Sequence, residues 1–234
     1  MSLRLSEIIQ LMKNHLLIIE DEQDTFENLE RKITHKFPDA LVQVASSCDI
    51  GFDYIKKHKI THPISLMVLD LTFKNPKETP LIKGGKQLLK TLKESQINIP
   101  TIVYTSHGEM EHIHPVLNNY HPQGYVIKSS NSSDELLFAM ERVLVGETYF
   151  SQQVHQQQLQ RFKYASNIDE IDEQIIQLLA YTTSIKDWEE RIENNELSIS
   201  YKSIKKRIDL LCDSMEVDNE KQLLLKLQRL GIIT

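Results

Sequence analysis

Short apolar runs alternate with helically spaced apolar positions through the first two thirds of the chain. Positions 15–19 form a nearly unbroken apolar run ending on Glu20 and Asp21, which reads as a buried strand. Phe26, Leu29 and Ile33 then recur at helical spacing. Positions 41–45 predict a second strand, and 50–57 a helix. Positions 66–69 predict a third strand, stopped by Asp70. Leu88, Leu89 and Leu92 mark a helix opened by Gly84 and Gly85, and positions 101–104 and 125–127 read as a fourth and fifth strand. A helix carrying Leu136, Leu137, Met140, Val143 and Leu144 closes the series.

Strands that alternate with helices are joined by crossovers, so they run parallel with both sheet faces covered. The predicted class is α/β: a flavodoxin-like, doubly wound, five-stranded parallel sheet, followed by a small all-α domain. From Gly146 the pattern changes. Residues 151–165 hold six glutamines and no acidic residue, a polar linker or a solvated helix. Helical patterns then run over 171–181, 185–193, 201–216 and 220–230. The expected layout is a helical extension at 1–14, the α/β domain at 15–147, a Gln-rich linker at 148–167 and a helical domain at 168–234.

A length of 234 residues suits two domains, and 40% hydrophobic with 26% charged residues suits a folded chain. The net charge of −6 excludes coating of nucleic acid by bulk charge but not a local basic surface. Cys48 and Cys212, one in each half, make neither a disulfide framework nor a zinc site. Glu7, Lys13 and His15 interrupt the apolar start with no cleavage site after it, and no window nears the ~18 apolar residues of a membrane span. The expectation is a cytoplasmic protein without a membrane partner.

Reactive groups in an open parallel sheet gather at the carboxyl ends of the strands. Those ends carry Glu20 and Asp21, Asp70, Thr105 and Ser106, and Lys128. Clustered carboxylates repel one another, and a hard cation such as Mg²⁺ relieves this through oxygen ligands. Phosphoryl transfer needs an in-line nucleophile and positive charge around the phosphoryl oxygens. Asp70 qualifies as the nucleophile, with the metal and Lys128 as the charge.

The segments 18–22, 68–71, 102–106 and 124–128 (IIEDE, VLDL, IVYTS and GYVIK), in that order, resemble a CheY-like receiver domain, a likeness covering residues 14–150. The resemblance implies a two-component response regulator phosphorylated on Asp70 by a sensor histidine kinase. It implies Mg²⁺ held by Glu20, Asp21, Asp70 and the carbonyl of Thr72, with Asp21 the more direct of the acidic pair. Thr105 becomes the switch hydroxyl, Lys128 the phosphate partner, and Tyr125 the aromatic that turns inward when Thr105 moves. It also implies a homodimer on phosphorylation, and no enzyme activity beyond slow self-dephosphorylation. Thr72 and His107 fall where the family tunes phosphoryl lifetime.

Two departures stand out. Ser129 follows the lysine where the family has proline. The segment 71–85 is about seven residues longer than the family's loop, and long loops often carry function. It holds Pro76, Pro80, Lys74, Lys77 and Lys83, and it is expected to alter access to Asp70 or phosphoryl lifetime. His107, His112 and His114, with no matched carboxylate or cysteine, read as solvent-exposed rather than metal-binding.

Residues 197–217 align without gaps to the recognition-helix segment of NarL/LuxR-type helix-turn-helix domains. Ile204, Ile208, Leu211, Cys212 and Met215 form one apolar stripe, and Ser200 reads as its N-cap. The resemblance implies transcription control through DNA contacts by Tyr201, Lys202, Lys205, Lys206 and Arg207. Against that, residues 166–234 hold 9 basic and 14 acidic residues. The turn before Ser200 is about four or five residues longer than the usual one, and Glu216 stands where glycine is common. The alternative is a phospho-regulated interaction module whose helical domain binds a partner protein. A phosphohydrolase with an aspartyl nucleophile is disfavoured, because its usual second acid falls on Thr72.

Overall fold

The computed structural model describes residues 14–58, 62–74, 80–181, 188, 192–194 and 197–233. The extension expected at 1–14 lies outside these, apart from Asn14. The chain divides into two compact units, one of residues 1–108 and 116–154 and the other of residues 109–115 and 155–234.

The first unit is a parallel sheet in the order β2-β1-β3-β4-β5-β6, comprising β1 (His15–Ile19), β2 (Leu41–Ala45), β3 (Leu66–Leu69), β4 (Thr101–Thr105), β5 (Gly124–Ile127) and β6 (Tyr149–Phe150). Between them run α1 (Gln23–Lys36), α2 (Cys48–His58), α3 (Gly85–Glu94), α4 (Met110–Tyr120) and α5 (Ser132–Leu144). β1, β3, β4 and β5 are buried at every position, as the unbroken apolar runs require. Leu16, Ile18, Leu66, Val68, Ile102 and Val126 pack with Leu29 and Ile33 of α1 and Leu136, Ala139, Met140 and Val143 of α5. Each such side chain contributes roughly 1.5–3 kcal/mol on burial. Alternation along β1 turns Leu17 and Ile19 to the other face, where a Cβ on Gly51 of α2 would sit 2.4 Å from Ile19 Cδ1.

The sixth strand corrects the five-stranded expectation. Tyr149 and Phe150 pair with Gly124 and Tyr125, and the amides of Tyr149 and Ser151 donate to the carbonyls of Gln123 and Tyr125 (2.9 Å each). Two residues are too short for a periodicity signal. Backbone groups left over at the β5 edge recruit them.

His15 is a polar residue at the start of β1, 3% exposed. Its Nδ1 donates to the His62 carbonyl (2.9 Å), and its Nε2 accepts from the Tyr54 hydroxyl (2.9 Å). Burial lowers its pKa below 6.5; the His62 carbonyl opposes the shift, and the charges of His58 and His62 reinforce it. The unfolded chain therefore takes up this proton first. The stability held by neutral His15 is complete above pH 6.5 and is lost as pH falls from there through the folded pKa. The urea midpoint is expected to drop between about pH 7.5 and about pH 5.5, less steeply in His15→Gln. An unchanged slope in the variant would assign the drop to other groups.

The second unit is helical. The Gln-rich run is α6 (Gln152–Ala165), followed by α7 (Glu170–Tyr181), α8 (Tyr201–Ser214) and α9 (Glu220–Arg229). Ile175, Ile176 and Leu179 of α7, Ile204, Ile208, Leu211 and Cys212 of α8, and Leu223 and Leu227 of α9 share a core with Trp188, Ile192 and Ile199. Ser200 caps α8 by accepting from the Ser203 amide (3.3 Å), and Asn219 caps α9 through the Gln222 amide (3.0 Å).

This unit is not all-α. β7 (Glu193–Asn194) and β8 (Leu197–Ser198) form an antiparallel pair. The helix expected over 185–193 lies outside the described residues except at Trp188, Ile192 and Glu193, and Glu193 is in β7. Ile192 and Ile199 flank the pair, and both are buried. The pair takes up the extra length before Ser200. Glu216 has φ 55°, the left-handed conformation natural to glycine, so the turn geometry is kept at a cost of roughly 1–2 kcal/mol.

Candidate functional site

Strand register assembles the site. Ile19 pairs with both Ala45 and Leu69, Leu69 with Val103, and Thr105 with Ile127. The residues just past these ends stay tied to a neighbouring strand. The Glu20 amide donates to Ala45 (3.1 Å), that of Asp70 to Ile19 (3.0 Å), and that of Lys128 to Thr105 (2.8 Å). Gly85 opens α3 directly against this edge, and a Cβ there would lie 2.1 Å from the Asp70 carbonyl.

Two buried carboxylates share one ammonium. Lys128 Nζ donates to Glu20 Oε2 (2.6 Å) and to Asp70 Oδ2 (2.7 Å), with Glu20 2% and Asp70 6% exposed. Asp70 Oδ1 accepts from the amides of Leu71 (2.6 Å) and Thr72 (3.2 Å), and Glu20 Oε1 from that of Glu22 (3.2 Å). Burial pulls the Lys128 pKa down, but the charges and hydrogen bonds of Asp70 and Glu20 outweigh it and hold the ammonium above the ordinary lysine value. Burial also lifts the Glu20 carboxyl above its ordinary range, and Lys128 offsets this only in part.

Ligand oxygens of Glu20, Asp21 and Asp70 lie within 4.8 Å of one another, an acidic cluster like the magnesium site of receivers. An all-oxygen donor set fits a hard divalent cation. Thr105 is fully buried, and among the described residues its Oγ1 has no hydrogen-bond partner. It is a donor without an acceptor, ordinarily a penalty of about 1–3 kcal/mol. Tyr125 is fully buried as well, its hydroxyl donating to the His107 carbonyl (2.9 Å).

Sequence reasoning missed several supports. Thr72 Oγ1 lies 2.5 Å from His107 Nε2, bridging the two positions of expected lifetime control. At Ser129, the Ser132 hydroxyl accepts from the amide and donates to the carbonyl (2.9 Å each), closing the turn where the family uses proline. The long segment is pinned at both ends. The Lys74 amide donates to Asp21 Oδ2 (2.7 Å), and those of Leu81 and Ile82 donate to Asp49 (3.2 and 3.1 Å). Residues 75–79, with Pro76 and Lys77, lie outside the described residues.

In the helical unit, Lys202, Lys205 and Lys206 are exposed on α8, and Tyr201 is half-buried. Arg207 is otherwise engaged. Its Nη1 donates to Asp169 Oδ2 (2.8 Å) and to Asp172 Oδ1 (2.7 Å) at the start of α7, and the bond to Asp169 is foremost in raising its pKa. This ties α8 to α7 and sets Arg207 apart from the three lysines.

No family model and no curated protein sequence matches the chain. Solved structures do. The RcsB response regulator of Salmonella typhimurium is similar at 17% identity and TM-score 0.58, covering 92% of this chain and 99% of that one. An RcsB–DNA complex gives 16% identity and TM-score 0.58, covering 93% and 98%. RcsB of Salmonella enterica serovar Typhimurium, bound to promoter rprA with the phosphomimetic BeF3−, gives 17% and 0.56, covering 92% and 98%. The likeness is one of fold: a receiver-like parallel α/β sheet followed by a helical C-terminal region. No described helix is long and apolar enough to cross a membrane.

Proposed function

We propose that this chain is a response regulator whose Asp70 accepts a phosphoryl group from a sensor histidine kinase and whose helical unit binds DNA. The observation that carries the reading is Lys128 shared between buried Glu20 and Asp70, beside the unpartnered hydroxyl of Thr105. An Asp70 carboxylate oxygen forms the new bond to phosphorus as the bond to the kinase's histidine nitrogen breaks. Lys128 then pairs with a phosphoryl oxygen, and Thr105 donates to another. Glu20, Asp21, Asp70 and the Thr72 carbonyl would hold Mg²⁺, which when bound supplies further positive charge to those oxygens. Tyr125 already lies inward, the position the resemblance links to the switched state, so phosphorylation shifts a population toward this arrangement. A homodimer on phosphorylation belongs to the same reading. The direct test is incubation with a small phosphodonor. Uptake of a single phosphoryl group with Mg²⁺, lost with chelator, is expected.

Support for DNA comes from the fold likeness and from Lys202, Lys205 and Lys206, exposed together on α8. Full-length chain is expected to be retained on DNA in a salt-dependent manner, and the triple alanine variant at these lysines to lose that retention. Its log–log salt slope should fall by roughly two to three, about 0.9 for each phosphate contact. The acidic excess of residues 166–234 favours a second reading, a partner protein in place of DNA. Retention that is absent, or unchanged in the variant, selects it.

A further inference from the structure

Within the helical unit lies a cavity of about 560 Å³, inside the range of roughly 300–1,000 Å³ typical of small-molecule sites. Arg161, Ala165, Ile168, Ile176, Ile232 and Ile233 line it, and the exposed Glu173, Gln177 and Ala180 complete the lining. All of these belong to the second unit. We propose that this cavity binds a fatty acid, its carboxylate on Arg161 and its alkyl chain against Ile168, Ile176, Ile232 and Ile233.

Three short-range features build the walls. Arg161 and Ala165, four apart, share one face of α6, and positions 173, 176, 177 and 180 share one face of α7. Alanine at 165 and 180 keeps the space between these faces open. The third wall follows α9. Gly231, at φ 62°, ends that helix in the left-handed conformation. The amides of Gly231 and Ile232 donate to the carbonyls of Gln228 (2.8 Å) and Leu227 (2.9 Å), the paired bonds of a glycine helix stop. Beyond that turn Ile232 and Ile233, half-buried, pack against the core of the unit.

Arg161 supplies the charge. It is half-buried, and its Nε makes one long hydrogen bond, to the Gly231 carbonyl (3.5 Å). Among the described residues no carboxylate forms an ion pair with it, Glu173 included. Burial holds its pKa below the ordinary arginine value, and no acid opposes the shift. A carboxylate meets a guanidinium fork through two parallel hydrogen bonds and supplies the missing countercharge. A single cation among apolar walls matches one negative charge on an apolar chain. A small inorganic anion would leave the isoleucines unfilled.

The test is calorimetric titration of the untagged full chain with decanoate below its micellar concentration. One decanoate per chain is expected, with affinity rising about fourfold for each methylene added from octanoate to decanoate. Decanol, of equal chain length but neutral, is expected to bind the unaltered protein about tenfold or more weakly than decanoate. Arg161→Gln is expected to weaken decanoate binding to a similar degree with far-ultraviolet circular dichroism unchanged, and Arg161→Lys to retain part of it. Absence of decanoate binding, decanol binding as tightly as decanoate, or full affinity in Arg161→Gln overturns the proposal.

Discussion

Asp70→Asn is expected to abolish phosphoryl uptake from a small phosphodonor in the presence of Mg²⁺. The substitution is nearly isosteric. The amide oxygen can still accept from Leu71 and Thr72, as Asp70 Oδ1 does now. Lys128 keeps its contact to Glu20. What is lost is the charge and nucleophilicity of one carboxylate, because a neutral amide cannot form the acyl phosphate. The fold should therefore persist with no labelling, as read by intact mass and circular dichroism together. Retained labelling would place the phosphoacceptor elsewhere and remove the basis for reading Lys128 and Thr105 as its partners.

Lys128→Ala is expected to be the most destabilising single change at this site. It leaves Glu20 and Asp70, both nearly fully buried, with no cation between them. Stripping one partner from a buried pair costs about 3–5 kcal/mol. A solvent-facing pair such as Lys32–Asp134, with side chains 31% and 76% exposed, is worth about 0–1 kcal/mol. Urea denaturation at neutral pH reads the difference, and a loss below about 1 kcal/mol would show that water or ions already screen the pair. The deficit should narrow on acidification. Burial holds the Glu20 pKa high even with Lys128 present, and removing the ammonium lifts it further. A carboxyl with a raised folded pKa takes up its proton in the fold before the unfolded chain does. Stability is then regained as pH falls from the raised value toward 4.5.

The phosphoacceptor reading was legible early because a parallel sheet has one chemically useful edge. Glu20, Asp70, Thr105 and Lys128 each end an apolar run, so their convergence follows from finding the strands in order. The antiparallel pairing of Glu193–Asn194 with Leu197–Ser198 was not legible: two-residue strands carry no period, and the burial of Ile192 and Ile199 beside them is a tertiary matter. Arg207 shows the limit on a helix face. It sits among basic neighbours in sequence, yet Asp169 and Asp172, 38 and 35 positions away, claim its guanidinium.

By itself, the sequence determined the class of the fold, the order of the parallel strands along the chain and the residues at their ends. Those follow from burial, a property each residue carries into any fold it joins. Only the tertiary structure decided which charges neutralise one another, that Thr105 keeps an unpartnered hydroxyl, and that Thr72 meets His107. Hydrogen bonds and ion pairs act over about 3 Å between residues far apart in the chain, and no periodicity along the chain encodes such a distance.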